Sequence, residues 1–183
     1  GFTTAARNAI LMDSASGSII FQKSADDLIH PASMSKLMTL AVLFKALKDG
    51  KYTLDDEFQT SEYAWRTGGA PSGTSAMFIP INSKSKISEL IQGIIVQSGN
   101  DAAITVAEGM AGSVDKFAEM MEAEARRIGL KKSTFRNPTG LSHPEHLMTA
   151  RELTLLARYI IKEYPEYYKT FSQREFQYRK HKF

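Results

Sequence analysis

The sequence lacks cysteine altogether, and it contains only 12 glycines and 6 prolines among 183 residues. The absence of cysteine excludes a disulfide scaffold, and the small number of glycines and prolines excludes a collagen-like repeat. Long hydrophobic runs are also absent. The longest run, residues 37–44, includes a threonine and falls far short of the roughly 20 residues that a membrane-spanning helix needs. We therefore expect no segment of this sequence to cross a membrane.

The remaining composition, 43% hydrophobic and 23% charged, is typical of one soluble globular domain. A chain of this size buries about 70% of its unfolded surface, so its core needs neither a metal nor a disulfide. The lack of cysteine is compatible with an exported protein. The sequence shows no signal peptide, so an exported form would correspond to the mature protein.

The net charge is +3, from 23 basic and 20 acidic residues. Residues 174–183 carry all of this excess, because they hold four basic side chains and one acidic one. The rest of the chain is neutral and shows no cluster of basic and aromatic residues typical of a nucleic-acid interface. We expect no nucleic-acid partner.

Hydrophobic periodicity and turn residues predict two strands, a mostly helical middle and a further strand, which is an α+β order. The predicted strands are residues 8–13, 18–22 and 175–183, and the predicted helices are residues 33–49, 88–97, 102–110, 113–128 and 149–163. Gly50 and Gly129 are typical helix stops, and Thr149 with Glu152 fits a capping box. Residues 66–86 are interpreted as a loop-rich segment without the glycine spacing of a phosphate-binding loop.

A serine followed three positions later by a lysine occurs at Ser33, Ser83 and Ser113. On a helix these two residues share a face, so the amine can accept the proton of a hydroxyl that attacks a carbonyl. The pair Ser83 and Lys86 lies in a polar stretch typical of a solvated turn. Ser113 is typical of a helix N-cap, with Lys116 on the exposed face.

The pair Ser33 and Lys36 differs because it opens a helix that is apolar nearly all round. Lys36 must therefore be buried or line a cleft, where desolvation would lower its pKa and make the amine a usable base. Ser33 at the helix N-terminus would place a developing oxyanion near free backbone N–H groups. The alternative is structural, with Ser33 as an ordinary N-cap and the Lys36 amine extended into solvent.

A second polar feature, Ser98–Gly99–Asn100, separates two predicted apolar helices. A hydroxyl pinned in such a loop can relay a proton to a leaving amine, and a carboxamide can bind both the C=O and the N–H of a peptide. Interhelical turns often contain Gly and Asn, so this feature gains its meaning only together with Ser33 and Lys36.

Together these motifs resemble the low-molecular-mass serine D-alanyl-D-alanine carboxypeptidases, which are penicillin-binding proteins. Five blocks occur in the order of that family and span nearly the whole chain. They are Asn-Ala-Ile-Leu-Met-Asp at 8–13, Pro-Ala-Ser-Met-Ser-Lys-Leu-Met-Thr at 31–39, Ser-Ala-Met-Phe at 75–78, Gln-Ser-Gly-Asn-Asp-Ala at 97–102 and Asn-Pro-Thr-Gly-Leu at 137–141. The resemblance implies a β-lactamase/transpeptidase-like α+β fold over residues 1–183, incomplete at the C-terminus. We expect an antiparallel sheet, of which only the N-terminal strands and one later strand are present, packed with a mostly helical subdomain at about 60–165.

The resemblance also implies roles for four residues. Ser33 would be the acylated nucleophile, Lys36 its general base and Ser98 the proton relay, while Asn100 would bind the substrate amide. The implied reaction removes the terminal D-Ala from peptidoglycan pentapeptide stems in the periplasm, without metal or organic cofactor, and β-lactams would acylate Ser33.

One family element does not occur in this sequence. The family has a Lys-Thr-Gly on a strand downstream of Ser98 that binds the substrate carboxylate, whereas Arg66–Thr67–Gly68 lies upstream and Lys169–Thr170–Phe171 lacks the glycine. We therefore expect the sequence to be a segment of a longer protein, with any membrane association through a C-terminal anchor outside it.

The sequence leaves other functions open. One alternative is a D,D-endopeptidase that cuts peptidoglycan cross-links, which shares both motifs. Another is a non-catalytic module that binds peptidoglycan or a partner and carries the same motifs without using them for catalysis. A class A β-lactamase is disfavoured, because no Glu-x-x-Leu-Asn loop follows Asn100. His143 and His146 lie in a polar loop and are interpreted as solvated, without a role.

Overall fold

The computed structural model describes residues 3–169, 177–179 and 181–182 of the chain. The strands are β1 (Ala9–Met12), β2 (Ile19–Lys23), β3 (Glu57–Gln59), β4 (Lys84–Lys86), β5 (Gln177–Tyr178) and β6 (His181–Lys182). The helices are α1 (Lys36–Lys48), α2 (Glu62–Gly68), α3 (Ile87–Gln97), α4 (Asn100–Ala111), α5 (Val114–Arg127), α6 (Ala150–Glu163) and α7 (Pro165–Tyr168), with 3-10 turns at Ala32–Ser35 and Ala70–Ser72. The α+β class is confirmed.

The strands form three antiparallel pairs, β1 with β2, β3 with β4 and β5 with β6. The first pair is the hairpin predicted from two apolar runs separated by turn residues, with Ala9 opposite Lys23 and Leu11 opposite Phe21. Helix α6 packs against β1 and also against α1. The hairpin therefore joins the helical body through α6.

Helix α1 lies at the centre of the core, as its apolar composition predicts. It contacts α4, α5 and α6, and Met38, Leu43 and Phe44 are fully buried. The ring of Phe44 stacks on Tyr167 with centroids 4.8 Å apart and meets the edge of Tyr164 at 5.7 Å. The surrounding helices thus fix the position of α1, which carries Lys36 at its first residue.

The N-terminal caps of α5 and α6 agree only partly with those predicted from the sequence. Ser113 accepts a hydrogen bond from the Lys116 backbone N–H at 3.1 Å, which confirms it as the N-cap of α5. Thr149 likewise accepts from the Glu152 N–H at 3.0 Å. The Glu152 carboxylate, however, accepts hydrogen bonds from residues 131–133, so the reciprocal half of the predicted capping box is wrong.

Three predictions of local structure need correction. The segment at residues 66–86 contains the end of α2 and strand β4, because Ser61 caps α2 and β4 pairs with β3. Helix α4 begins at Asn100, two residues earlier than predicted. Instead of the single strand predicted at 175–183, the described residues form two short strands with a turn at Arg179, while residues 175, 176, 180 and 183 lie outside the described residues. Within the described ranges, none of the helices has the length and apolar character to cross a membrane.

We expect Phe44→Ala to lower the free energy of unfolding by about 3–5 kcal/mol, because it removes a fully buried ring and leaves a cavity. The measurement is chemical denaturation followed by circular dichroism. Ile20→Ala is the control, since Ile20 is 64% exposed and its truncation should change stability by less than about 0.5 kcal/mol. Equal losses in the two variants would contradict the central position of α1.

Candidate active site

Ser33 lies in the 3-10 turn Ala32–Ser35 that leads directly into α1. The sequence predicts this serine in the first turn of an α-helix. In the structure that turn is a 3-10 turn, and the α-helix begins at Lys36. Ala32 adopts a left-handed conformation with φ 51°, and the Ser35 hydroxyl donates to the Ala32 carbonyl at 2.9 Å. Residues three apart eclipse one another in a 3-10 turn, so Ser33 and Lys36 lie on the same side and line one cleft.

Lys36 is buried, with only 5% of its surface exposed. Burial lowers the pKa of its amine to about 8. The Nζ atom donates a hydrogen bond to the Ser98 hydroxyl at 2.9 Å, across 62 positions of sequence. The structural alternative, in which the amine extends into solvent, is therefore wrong.

Ser98 and Asn100 enter the cleft at the junction of α3 and α4. Ser98 caps the end of α3 in a left-handed conformation, with φ 53°, and Gly99 donates its N–H to the Gly93 carbonyl at 3.1 Å. Asn100 is the first residue of α4 and is nearly fully buried. The junction is a single tight turn, so its polar groups have little freedom to leave the cleft.

Asp101 holds this junction against the preceding loop. Its fully buried carboxylate accepts backbone N–H groups from Met77 at 2.8 Å, Ile79 at 3.0 Å and Ala102 at 2.9 Å. Burial raises the pKa of the carboxyl, and the hydrogen bonds from these N–H groups oppose that rise. The sequence motifs assign no role to Asp101, although an acidic residue in the first turn of an otherwise apolar helix is the signal that could have found it.

The loop 137–141 forms another wall of the cleft, next to the Ser33 turn. The Asn137 side chain accepts the Gly140 N–H at 2.8 Å, and Thr39 of α1 donates its hydroxyl to the Pro138 carbonyl at 2.8 Å. Gly140 has φ 85°, and a Cβ there would lie 1.8 Å from the Ala32 carbonyl oxygen. This contact explains why the Asn-Pro-Thr-Gly-Leu block carries a glycine.

These elements enclose an open cleft of about 600 Å³ that brings together all four residues singled out by sequence. Its lining residues are Ala32, Ser33, Lys36, Gly73, Thr74, Ser75, Ser98, Asn100, Thr139, Gly140, Leu141 and Ser142. Thr74 and the 139–142 segment are cleft residues that sequence reasoning did not identify. In the portion of the chain that the structure describes, His, Asp and Glu side chains form no group of three that could hold a metal ion. The cleft offers hydroxyl groups beside a desolvated amine, the groups that nucleophilic acyl transfer requires.

The other two serine–lysine pairs lie outside this cleft. Lys86 ends strand β4 rather than lying in the predicted solvated turn, but its side chain is exposed as predicted and pairs with Asp55 at 3.7 Å. Lys116 is exposed on α5.

The solvated interpretation of His146 is wrong: the residue is 1% exposed, and its Nδ1 accepts the Arg136 N–H at 3.0 Å. Burial lowers the pKa of His146 to about 4, whereas His143 is exposed.

The arrangement of strands and helices is that of penicillin-binding proteins. The solved structure of penicillin binding protein 5 from Haemophilus influenzae superimposes with a TM-score of 0.93 and 36% identity, covering 100% of this chain and 53% of that one. The chain belongs to the D-alanyl-D-alanine carboxypeptidase family, peptidase S11, whose profile matches residues 2–183.

Two of the curated relatives that the chain matches are named for different activities. The chain is 39% identical over 176 residues to D-alanyl-D-alanine carboxypeptidase DacC of Escherichia coli (strain K12), which is 96% of this chain and 44% of the relative. It is 31% identical over 157 residues to the D-alanyl-D-alanine endopeptidase of Pseudomonas aeruginosa, covering 83% of this chain and 46% of the relative. The chain thus spans less than half the length of each of these two relatives.

We expect Asp101→Asn to destabilise the protein by about 1–3 kcal/mol, because the amide has one acceptor oxygen where the carboxylate uses two. Denaturant unfolding measures this change. Asp27→Asn is the matched control, because Asp27 is exposed. A loss in Asp101→Asn no larger than that in the control would contradict the proposed attachment of the Met77–Ile79 loop.

Proposed function

We propose that residues 1–183 belong to the transpeptidase-like catalytic domain of a serine-type D-alanyl-D-alanine carboxypeptidase. The observation that carries this proposal is the buried Lys36 amine, hydrogen-bonded to Ser98 in the cleft that Ser33 lines. Family membership supports it. The substrate is the peptidoglycan pentapeptide stem that ends in D-Ala-D-Ala, and the product is the stem shortened by one D-Ala.

The proposed reaction uses Ser33 as the nucleophile and neutral Lys36 as its general base. The Ser33 oxygen forms a bond to the penultimate carbonyl carbon, and the C–N bond to the terminal D-Ala breaks. The proton taken from Ser33 reaches the leaving amine through Lys36 and Ser98, since these two groups are in hydrogen-bond contact. The backbone N–H of Ser33 contributes to the oxyanion hole, and water then hydrolyses the acyl-enzyme.

Asn100 binds the backbone amide of the stem peptide, and β-lactams acylate Ser33 in place of the dipeptide. The helical subdomain at about 60–165 carries both Ser98 and Asn100. The Lys-Thr-Gly strand that the family resemblance implies does not occur in these 183 residues. We place the activity in the periplasm, and membrane attachment through a C-terminal anchor stays a prediction about residues outside this sequence.

A D,D-endopeptidase that cuts peptidoglycan cross-links is the second candidate. The relative from Pseudomonas aeruginosa with that name supports it at 31% identity. Both reactions attack a carbonyl with a serine, so the cleft geometry described above serves either. The two activities differ in the product released, which a digest of purified muropeptides measures directly. Free D-Ala without loss of cross-linked dimers supports the carboxypeptidase, and conversion of dimers to monomers supports the endopeptidase.

We expect Lys36→Ala and Ser33→Ala each to abolish covalent labelling of the full-length protein by a fluorescent penicillin, measured by gel fluorescence and peptide mass mapping. Lys116→Ala is the matched control: it removes the exposed lysine of another serine–lysine pair and should label like the unmodified protein. Absence of label in the unmodified protein would refute the catalytic proposal. With retained binding to peptidoglycan, that result would support the non-catalytic module instead.

The rate of acylation should rise with pH and reach half its plateau at about pH 8, because only the neutral form of Lys36 accepts a proton. At pH 7 the neutral fraction is about one tenth, so the rate should be about tenfold below the plateau. Stopped-flow measurement of penicillin binding between pH 6 and pH 10 gives this profile. In Lys36→Arg the rate should collapse at every pH, since guanidinium stays protonated. A flat profile in the unmodified protein would argue against Lys36 as the base.

A further inference from the structure

Thr74 contacts the one side chain of the cleft that the proposed function assigns to substrate recognition. The Asn100 Nδ2 atom donates a hydrogen bond to the Thr74 hydroxyl oxygen at 3.1 Å. The Asn100 Oδ1 atom is buried and has no hydrogen-bond partner among the described residues. Thr74 therefore holds one end of this carboxamide, while no described residue holds the other end.

The direction of this hydrogen bond follows from a chain of hydroxyl groups. The Ser72 hydroxyl donates its single proton to the Gly69 carbonyl at 2.6 Å, so toward Thr74 it can only accept. The Thr74 hydroxyl lies 2.8 Å from the Ser72 oxygen and must donate its own proton there. Toward Asn100 the Thr74 oxygen is then an acceptor only, and it selects the NH₂ end of the carboxamide over the oxygen end.

The backbone holds this chain of groups against Asn100. The end of α2 packs so closely on the start of α4 that a Cβ at Gly68 would lie 2.7 Å from the Asp101 nitrogen. The Asn100 backbone N–H donates to the Ser75 carbonyl at 2.9 Å, next to Thr74 in sequence. Two contacts therefore hold Thr74 near Asn100: the packing of α2 on α4 and the backbone hydrogen bond to Ser75. Neither contact depends on the hydrogen bond between the two side chains.

We propose that Thr74, oriented by Ser72, is a positioning residue that sets which end of the Asn100 carboxamide is available to the substrate. The inference rests on the proposed function, because it takes Asn100 as the group that binds the stem peptide. A carboxamide that turned over would exchange its donor and acceptor ends. A peptide carbonyl or N–H that met the wrong end would lose its hydrogen bond and leave a buried polar group unpaired.

The test compares three variants at the two hydroxyl positions in the full-length protein. Thr74→Val keeps the shape of the side chain but removes the acceptor, and we expect acylation by a fluorescent penicillin and D-Ala release from pentapeptide each to fall about tenfold, the rate equivalent of one lost hydrogen bond. Thr74→Ser keeps the hydroxyl and should restore at least half of the rate. Ser72→Ala frees the Thr74 proton and should give an intermediate loss, since either end of the amide can then pair with Thr74.

Thr154→Val on α6 is the matched control, because the Thr154 hydroxyl donates only to the Ala150 carbonyl of its own helix. It should leave both rates unchanged. A Thr74→Val protein with unchanged rates, or a Thr74→Ser protein as slow as Thr74→Val, would overturn the proposal. A loss of rate caused by unfolding is excluded by measuring the thermal unfolding midpoint of every variant.

A spectroscopic readout separates this inference from the proposed function. Selective ¹⁵N labelling of asparagine gives the side-chain NH₂ signals, and Asn100→Asp assigns the Asn100 pair. In Thr74→Val the Asn100 NH₂ signals should shift and its protons exchange faster with solvent, with partial recovery in Thr74→Ser. Unchanged Asn100 signals in Thr74→Val would refute the positioning role, whether or not the protein reacts with penicillin. Lack of penicillin reaction together with shifted signals would refute the catalytic proposal and retain the hydrogen bond.

Discussion

The desolvation of the Lys36 amine is the physical constraint on which the site depends. An amine removed from water loses much of its affinity for a proton, and here it lies at the first residue of the helix at the centre of the core. The hydrogen bond to Ser98 gives the buried nitrogen a partner, so its burial is tolerated. The same hydrogen bond joins α1 to the junction of α3 and α4, which makes the basicity of Lys36 a property of the packing between helices.

Two rigid contacts keep the hydroxyl groups of the cleft near this amine. On one side, Asp101 ties the start of α4 to the Met77–Ile79 loop through backbone N–H groups. On the other side, Gly140 fits against the carbonyl of Ala32, the left-handed residue that begins the Ser33 turn. Both contacts are made by backbone atoms or a fully buried carboxylate, so they constrain geometry without adding a charge to the cleft surface. Such a preorganised set of polar groups is what acyl transfer needs.

Much of the local structure could be predicted from the sequence, because it depends on residues close together in the chain. The β1–β2 hairpin follows from two apolar runs separated by turn residues, helix α1 from its apolar composition, and the Ser113 cap from cap chemistry. Helix α2 was missed because it has only seven residues and ends in a pair of glycines that is typical of a loop. Strands β3 and β4 have three residues each, and only their pairing with each other makes them strands.

The four candidate site residues were identified from residue types and spacing, and the structure places all of them along one cleft. Thr74 and the burial of His146 could not be identified in this way, since a threonine in a glycine-rich segment and a histidine in a polar loop have no local signature. Residue order alone establishes which chemical groups are present, and that Lys36 begins an apolar helix. The 2.9 Å contact between Lys36 and Ser98, and the choice of the Asn100 amide end that meets Thr74, arise only in the folded chain. These contacts join residues 26 and 62 positions apart, where helix packing and loop closure set the distance and local periodicity carries no information.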